Sequence, residues 1–149
     1  MNLVDLKKAL LPPHAQHVVL VHFPIALFVV GVAFDVFARW WKRPKLAAAA
    51  YYNFAVAAFS TVPTIATGLL AWQFQLEAQK LEGALLQHLI LGSLSSAMMW
   101  VVWYIYLRTR RAHKYTFPVY SLPIEFLTVA TVSITGYLGG FLSGVNNSS

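Results

Sequence analysis

The stretch that decides the fold runs from His17 to Trp41 and reads HVVLVHFPIALFVVGVAFDVFARWW. It is long and apolar enough to cross a bilayer, because a hydrocarbon core about 30 Å thick takes roughly 20 apolar residues as helix. Two histidines and a proline nevertheless stand at its entrance. Because ionisable side chains inside a membrane span are costly, His17 and His22 are candidates for a functional site.

Three further apolar runs follow in a chain of 149 residues that is 58% hydrophobic and 11% charged. Soluble domains carry about 25% charged residues, so this composition indicates a membrane protein. The sequence predicts an all-α fold, a transmembrane four-helix bundle that forms one integral membrane domain over residues 1–149 without an internal repeat. The predicted spans are about 18–41, 47–74, 84–107 and 121–143.

Prolines and leucines predict local structure near the N-terminus. Leucine recurs at every third or fourth position of residues 2–11, which predicts a short N-terminal interfacial helix that ends at Pro12 and Pro13. A solvated leader also fits that segment. Pro24 lies either inside the first helix, with a kink, or in its first turn if the regular helix starts near Phe23.

Basic residues concentrate in two short segments, 39–45 and 108–114, each with four Lys or Arg. Such loops are typically cytoplasmic. The sequence therefore predicts a multi-pass protein of the bacterial inner membrane, in contact with membrane lipid, with both termini on the periplasmic side. The net charge of +6 reflects this topology and does not indicate nucleic-acid binding.

The residue composition excludes several kinds of functional site. The chain has no cysteine, which excludes disulfides, iron–sulfur clusters and thiolate haem ligation. Asp35 and Arg39 are spaced i, i+4, which predicts a structural ion pair. Glu125 is expected either to have a partner inside the bundle or to reach the headgroups, and a role in proton relay is the less favoured interpretation. No nucleophile–base pair or phosphate loop is recognisable, so the chain is not predicted to act as an enzyme alone.

The histidines predict a cofactor site. Counted from the predicted span starts at 1.5 Å per residue, His22 and His88 each lie about 6 Å below the outer boundary. Two imidazoles on different helices at one depth suit the iron of a b-type haem, which takes one axial nitrogen from each face. We therefore expect electron transfer by haem b bound to His22 and His88. His17 is an alternative ligand or a partner of a haem propionate.

This site predicts electron exchange near the outer face, with quinol or a periplasmic or membrane redox partner. Two other interpretations stay open. His17, His22 and His88 would together suit a non-haem metal. Alternatively the protein is a non-catalytic subunit of an oligomer or a larger respiratory or photosynthetic complex. In that case His22 and His88 only form hydrogen bonds.

The motifs of the chain resemble those of a family of predicted four-helix bacterial membrane proteins, domain of unknown function 2231. The first span of that family resembles His-Pro-x-x-Val-His-Phe-Pro, here His17 to Pro24. Its second span ends like Thr-Gly-x-x-x-Trp-Asp, here Thr67 to Gln73. A histidine opens its third span, here His88, and its fourth contains Gly-Tyr/Trp-Leu-Gly-Gly, here Gly136 to Gly140.

The chain departs from this pattern at three places. Val18 stands where the family usually has proline, and Gln73 where it often has aspartate. The segment 141–147 lacks the histidine that often follows the paired glycines. The resemblance implies the four-helix fold and the equivalence of the three histidines, but it implies no activity.

Overall fold

The computed structural model describes residues 13–74, 80–111 and 118–143. The described chain forms four helices, each long and apolar enough to cross a membrane. The predicted all-α fold with four spans is therefore confirmed, whereas the predicted helix at 2–11 lies outside the described residues. The helices are α1 (Pro13–Trp41), α2 (Pro44–Phe74), α3 (Gly83–Arg111) and α4 (Ser121–Leu142).

Helix α1 begins five residues earlier than the predicted first span and continues through Pro24. Of the two predicted arrangements, the structure therefore has the proline inside the helix. Pro13 opens α1, where the missing N–H of proline leaves no helical hydrogen bond unmade. His17 and His22 consequently both lie on the helix, in its first three turns.

The helices pack as two antiparallel hairpins. Helix α1 lies along α2 and α3 lies along α4, while α2 with α3 and α1 with α4 join the hairpins. Large apolar side chains cover the outer surface, as expected of a surface in contact with lipid. The buried core includes Phe28, Phe54, Met99, Val102 and Tyr106.

Many buried positions of the first hairpin recur in the second at an offset of 71 residues. On α1 and α3, for example, Phe28 corresponds to Met99 and Asp35 to Tyr106, all of them buried. No internal repeat is predicted from the sequence, but these buried positions recur at one offset. Parallel repeats of this kind also build other membrane proteins. Further buried pairs are Gly31 and Val102, Ala50 and Ser121, Phe54 and Glu125, Ala57 and Thr128, and Thr64 and Thr135.

Gly31 of α1 packs closely against α2. A Cβ atom added to Gly31 would lie 2.8 Å from Cε1 of Phe54, a fully buried ring, and 3.3 Å from Cβ of Asn53. We expect Gly31→Ala to lower the free energy of unfolding by about 1–3 kcal/mol, because overpacking displaces the ring or the backbone. An SDS titration in mixed micelles, followed by helicity, measures this loss.

Gly136→Ala provides the matched control. A Cβ atom at Gly136 meets no atom of the described residues within 4 Å. This substitution is expected to leave stability unchanged or to raise it by up to about 1 kcal/mol, the helix-propensity difference between glycine and alanine. Equal losses in the two variants would contradict the packing argument.

Candidate functional site

The structure brings His17 of α1 and His88 of α3 together at the end of the bundle where both helices begin. Their ring centroids are 6.3 Å apart and their ring planes are inclined by 86°. His17 is the fifth residue of α1 and His88 the sixth of α3, so the two lie at nearly the same depth. Two of the three histidines predicted to form a site therefore meet between the hairpins.

Both histidine rings are held by a backbone carbonyl of the neighbouring helix. Nδ1 of His17 lies 3.0 Å from the carbonyl oxygen of Thr64, and Nδ1 of His88 lies 3.0 Å from that of Thr135. A carbonyl oxygen only accepts hydrogen bonds, so each Nδ1 carries the proton. In the neutral ring the lone pair then resides on Nε2. Metal-binding histidines commonly donate their other ring N–H in this way.

A glycine one turn beyond each threonine makes room for the ring. A Cβ atom added to Gly68 would lie 2.9 Å from Cε1 of His17, and one added to Gly139 would lie 3.1 Å from Cε1 of His88. Larger residues at these positions would push the rings away. Each hairpin therefore supplies one set of histidine, threonine and glycine, and the two sets are related by the 71-residue offset.

His22 lies elsewhere on α1. It is exposed, and its Nδ1 is 2.6 Å from the carbonyl oxygen of Val18 in the same helix. Five residues turn a helix by about 140°, so His22 points away from the face that carries His17. The structure thus pairs His88 with His17 and not with His22.

The predicted three-histidine metal site does not assemble either. Over residues 13–74, 80–111 and 118–143, no group of three or more His, Cys, Asp or Glu side chains could hold a metal ion. The depth estimate favours His22 because it counts residues from a predicted span start at residue 18. Since α1 begins at Pro13, His17 is the residue level with His88.

A second polar cluster occupies the opposite end of the bundle, 18 residues or about 27 Å along α1 from His17. The predicted ion pair is present, with Nε of Arg39 2.5 Å from Oδ2 of Asp35. Arg39 also donates through Nη2 to Oγ of Ser121 at 2.9 Å. Of the two arrangements expected for Glu125, the structure shows a partner inside the bundle, because the Tyr106 hydroxyl donates to Oε1 at 2.8 Å.

Sequence reasoning missed the roles of Thr64, Thr135 and Gly139. One signal was present, because each histidine precedes its threonine by 47 residues and a glycine follows each threonine by four. Threonine and glycine are also common where helices pack closely. Residue type alone therefore could not separate support of a histidine from packing.

Comparison with known proteins yields one match. A family model described as a predicted membrane protein, DUF2231, matches residues 13–146. This range contains all four helices and both sets of histidine, threonine and glycine. No curated protein and no solved structure matches the chain.

Proposed function

The chain belongs to the DUF2231 family of predicted membrane proteins, and we propose that it binds one b-type haem through His17 and His88 and transfers electrons. The haem would supply an iron that accepts and releases one electron. The protein would supply both axial nitrogens, one from each hairpin. This ligand pair replaces the pair of His22 and His88 expected from the sequence.

The spacing of the two rings is the observation that carries the proposal. Bonds from a metal to imidazole nitrogen are about 2.0–2.1 Å long, so rings on opposite sides of one ion have centroids about 6 Å apart. The observed separation is 6.3 Å. The inclination of 86° fits as well, since each ring can turn about its own bond to the metal.

The surroundings of the rings support the same assignment. The hydrogen bonds from Nδ1 to the carbonyl oxygens of Thr64 and Thr135 orient each ring. Nε2 would then be the nitrogen that binds iron, and these hydrogen bonds would raise its basicity. Glycines 68 and 139 keep the sides of the rings clear. Each hairpin offers one imidazole, so His17 and His88 would together supply the two protein ligands of the haem iron.

The proposed location follows from the basic loops. If these face the cytoplasm of a bacterium, the described histidines lie near the periplasmic face of the inner membrane and both termini are periplasmic. Electrons would then be exchanged at that face, with quinol or with a periplasmic or membrane redox partner. Among described residues, the histidines lie near the starts of α1 and α3, which suits one haem rather than two.

Absorption spectra of the protein purified in detergent, oxidised and then reduced with dithionite, test the proposal. We expect a Soret band, a reduced α-band and one haem b per chain. The electron paramagnetic resonance spectrum of the oxidised protein should be that of bis-histidine iron. A colourless, metal-free and folded protein would overturn the function. Bound iron or zinc without a Soret band would overturn the haem assignment and favour a non-haem metal at the same pair.

Gly68→Ala should weaken haem binding without removing a ligand. The added Cβ atom would lie 2.9 Å from Cε1 of His17, so the ring must shift while Thr64 still holds its Nδ1. Loss of support for a metal-binding histidine typically costs 10–100-fold in affinity, and we expect about this loss. Titration of the haem-free protein with haem measures the affinity.

Gly92→Ala is the matched control for this titration. A Cβ atom there would lie 3.5 Å from Cγ2 of Thr135, an ordinary contact. This variant should bind haem as the unmodified protein does. Equal affinities for Gly68→Ala and Gly92→Ala would show that Gly68 does not position the ligand.

A further inference from the structure

The buried cluster opposite the histidines contains two carboxyl groups and one guanidinium. Asp35 and Glu125 are both fully buried. Among the described residues, Arg39 forms an ion pair with Asp35, and the other ion pair joins the exposed Lys80 and Glu82. If both buried carboxyls were ionised, the cluster would hold an uncompensated negative charge inside the membrane, which is strongly unfavourable.

The two carboxyls have different partners. Asp35 accepts from the charged Arg39, whereas Oε1 of Glu125 accepts from the neutral hydroxyl of Tyr106 at 2.8 Å. Other donors of Arg39 reach Oγ of Ser121 at 2.9 Å and the carbonyl of Pro118 at 3.3 Å. The guanidinium is thus bonded to Asp35, and within the described part of the chain Glu125 forms no ion pair.

The second carboxyl oxygen of each acid is buried without a hydrogen-bond partner among the described residues. These two oxygens are Oδ1 of Asp35 and Oε2 of Glu125. One bound proton would neutralise the excess negative charge of the two acids. We propose that this cluster is a proton-binding site in which Glu125 is a neutral carboxylic acid and Asp35 is the carboxylate.

The repeat supports a specific role for this layer. Asp35 corresponds to Tyr106, and Glu125 corresponds to Phe54, whose ring centroid lies 4.9 Å from that of Tyr106. In this cluster the corresponding positions of the two hairpins thus hold different residue types. At the other end of the bundle, the corresponding positions His17 and His88 hold the same residue type. Neither acid thus has an acid at the corresponding position of the other hairpin.

Infrared spectroscopy at pH 7 in an ester-free detergent tests the proton site without any reference to haem. We expect a protonated-carboxyl C=O band that shifts in D2O and disappears in Glu125→Gln. The band should persist in Glu82→Gln, because Glu82 is exposed and paired with Lys80. Circular dichroism verifies that both variants are folded.

Isotope labelling keeps the test decisive if Glu125→Gln fails to fold. Carboxyl ¹³C label in glutamate should shift the band, and the same label in aspartate should not. Absence of the band in the unmodified protein, or its persistence in folded Glu125→Gln, would overturn the proposal. A band that appears in choline buffer but not in sodium buffer would also overturn it, because the resident cation would then be a metal ion.

Discussion

Replacing His17 with alanine is expected to abolish haem binding, whereas replacing His22 with alanine is not. The ring centroids of His17 and His88 are 6.3 Å apart, and loss of His17 would remove one of the two proposed iron ligands. The effect should exceed the upper limit of about 100-fold that is typical for residues that only support a ligand. His88→Ala should behave in the same way, because the two hairpins supply equivalent rings.

The measurement is the ratio of haem to protein after purification, together with the spectra of the reduced protein. His22→Ala is the matched control, since it removes an exposed imidazole from the same helix. Imidazole added to His17→Ala should restore part of the bis-histidine spectrum by occupying the vacated position. Loss of haem from His22→Ala, with retention in His17→Ala, would reverse the assignment and return it to the ligand pair expected from the sequence.

The four spans could be predicted from sequence because the bilayer imposes one strong rule. Any chain that crosses it as helix needs about 20 apolar residues, and the four apolar runs satisfy this. Helix starts are less constrained, because polar and apolar residues are both tolerated near the interface. The first predicted span therefore began at residue 18, although α1 begins at Pro13.

That difference of five residues determines which histidine of α1 is placed level with His88. Counted from residue 18, His22 is level with His88, and counted from Pro13, His17 is. The hydrophobic pattern of the helix does not show which of the two histidines faces the bundle, because a span surrounded by lipid is apolar on its outside as well as its inside. The 140° between His17 and His22 was predictable, but which of them faces the bundle was not.

The polar cluster shows the same limit. The i, i+4 spacing of Asp35 and Arg39 predicts a pair within one helix, and the structure contains it. The bond from Tyr106 to Glu125 joins two helices, so it depends on how the hairpins turn towards each other. The sequence therefore leaves open whether Glu125 has a partner in the bundle or reaches the headgroups, and it does not identify Tyr106.

Replacing Asp35 with asparagine is expected to lower the free energy of unfolding by about 3 kcal/mol, because it leaves Arg39 without its carboxylate. Removing one partner of a buried ion pair typically costs 3–5 kcal/mol. We expect the lower end of this range because the Arg39 side chain is 20% exposed. An SDS titration in mixed micelles measures the loss.

Two further variants separate the burial of charge from the mere loss of a contact. Glu82→Gln breaks the exposed pair with Lys80 and should change stability by no more than about 1 kcal/mol. Adding Arg39→Gln to Asp35→Asn should recover part of the lost stability, because the guanidinium that has lost its Asp35 partner is then removed from the bundle. If the double variant is less stable than Asp35→Asn alone, the other hydrogen bonds of Arg39, to Ser121 and Pro118, outweigh its buried charge.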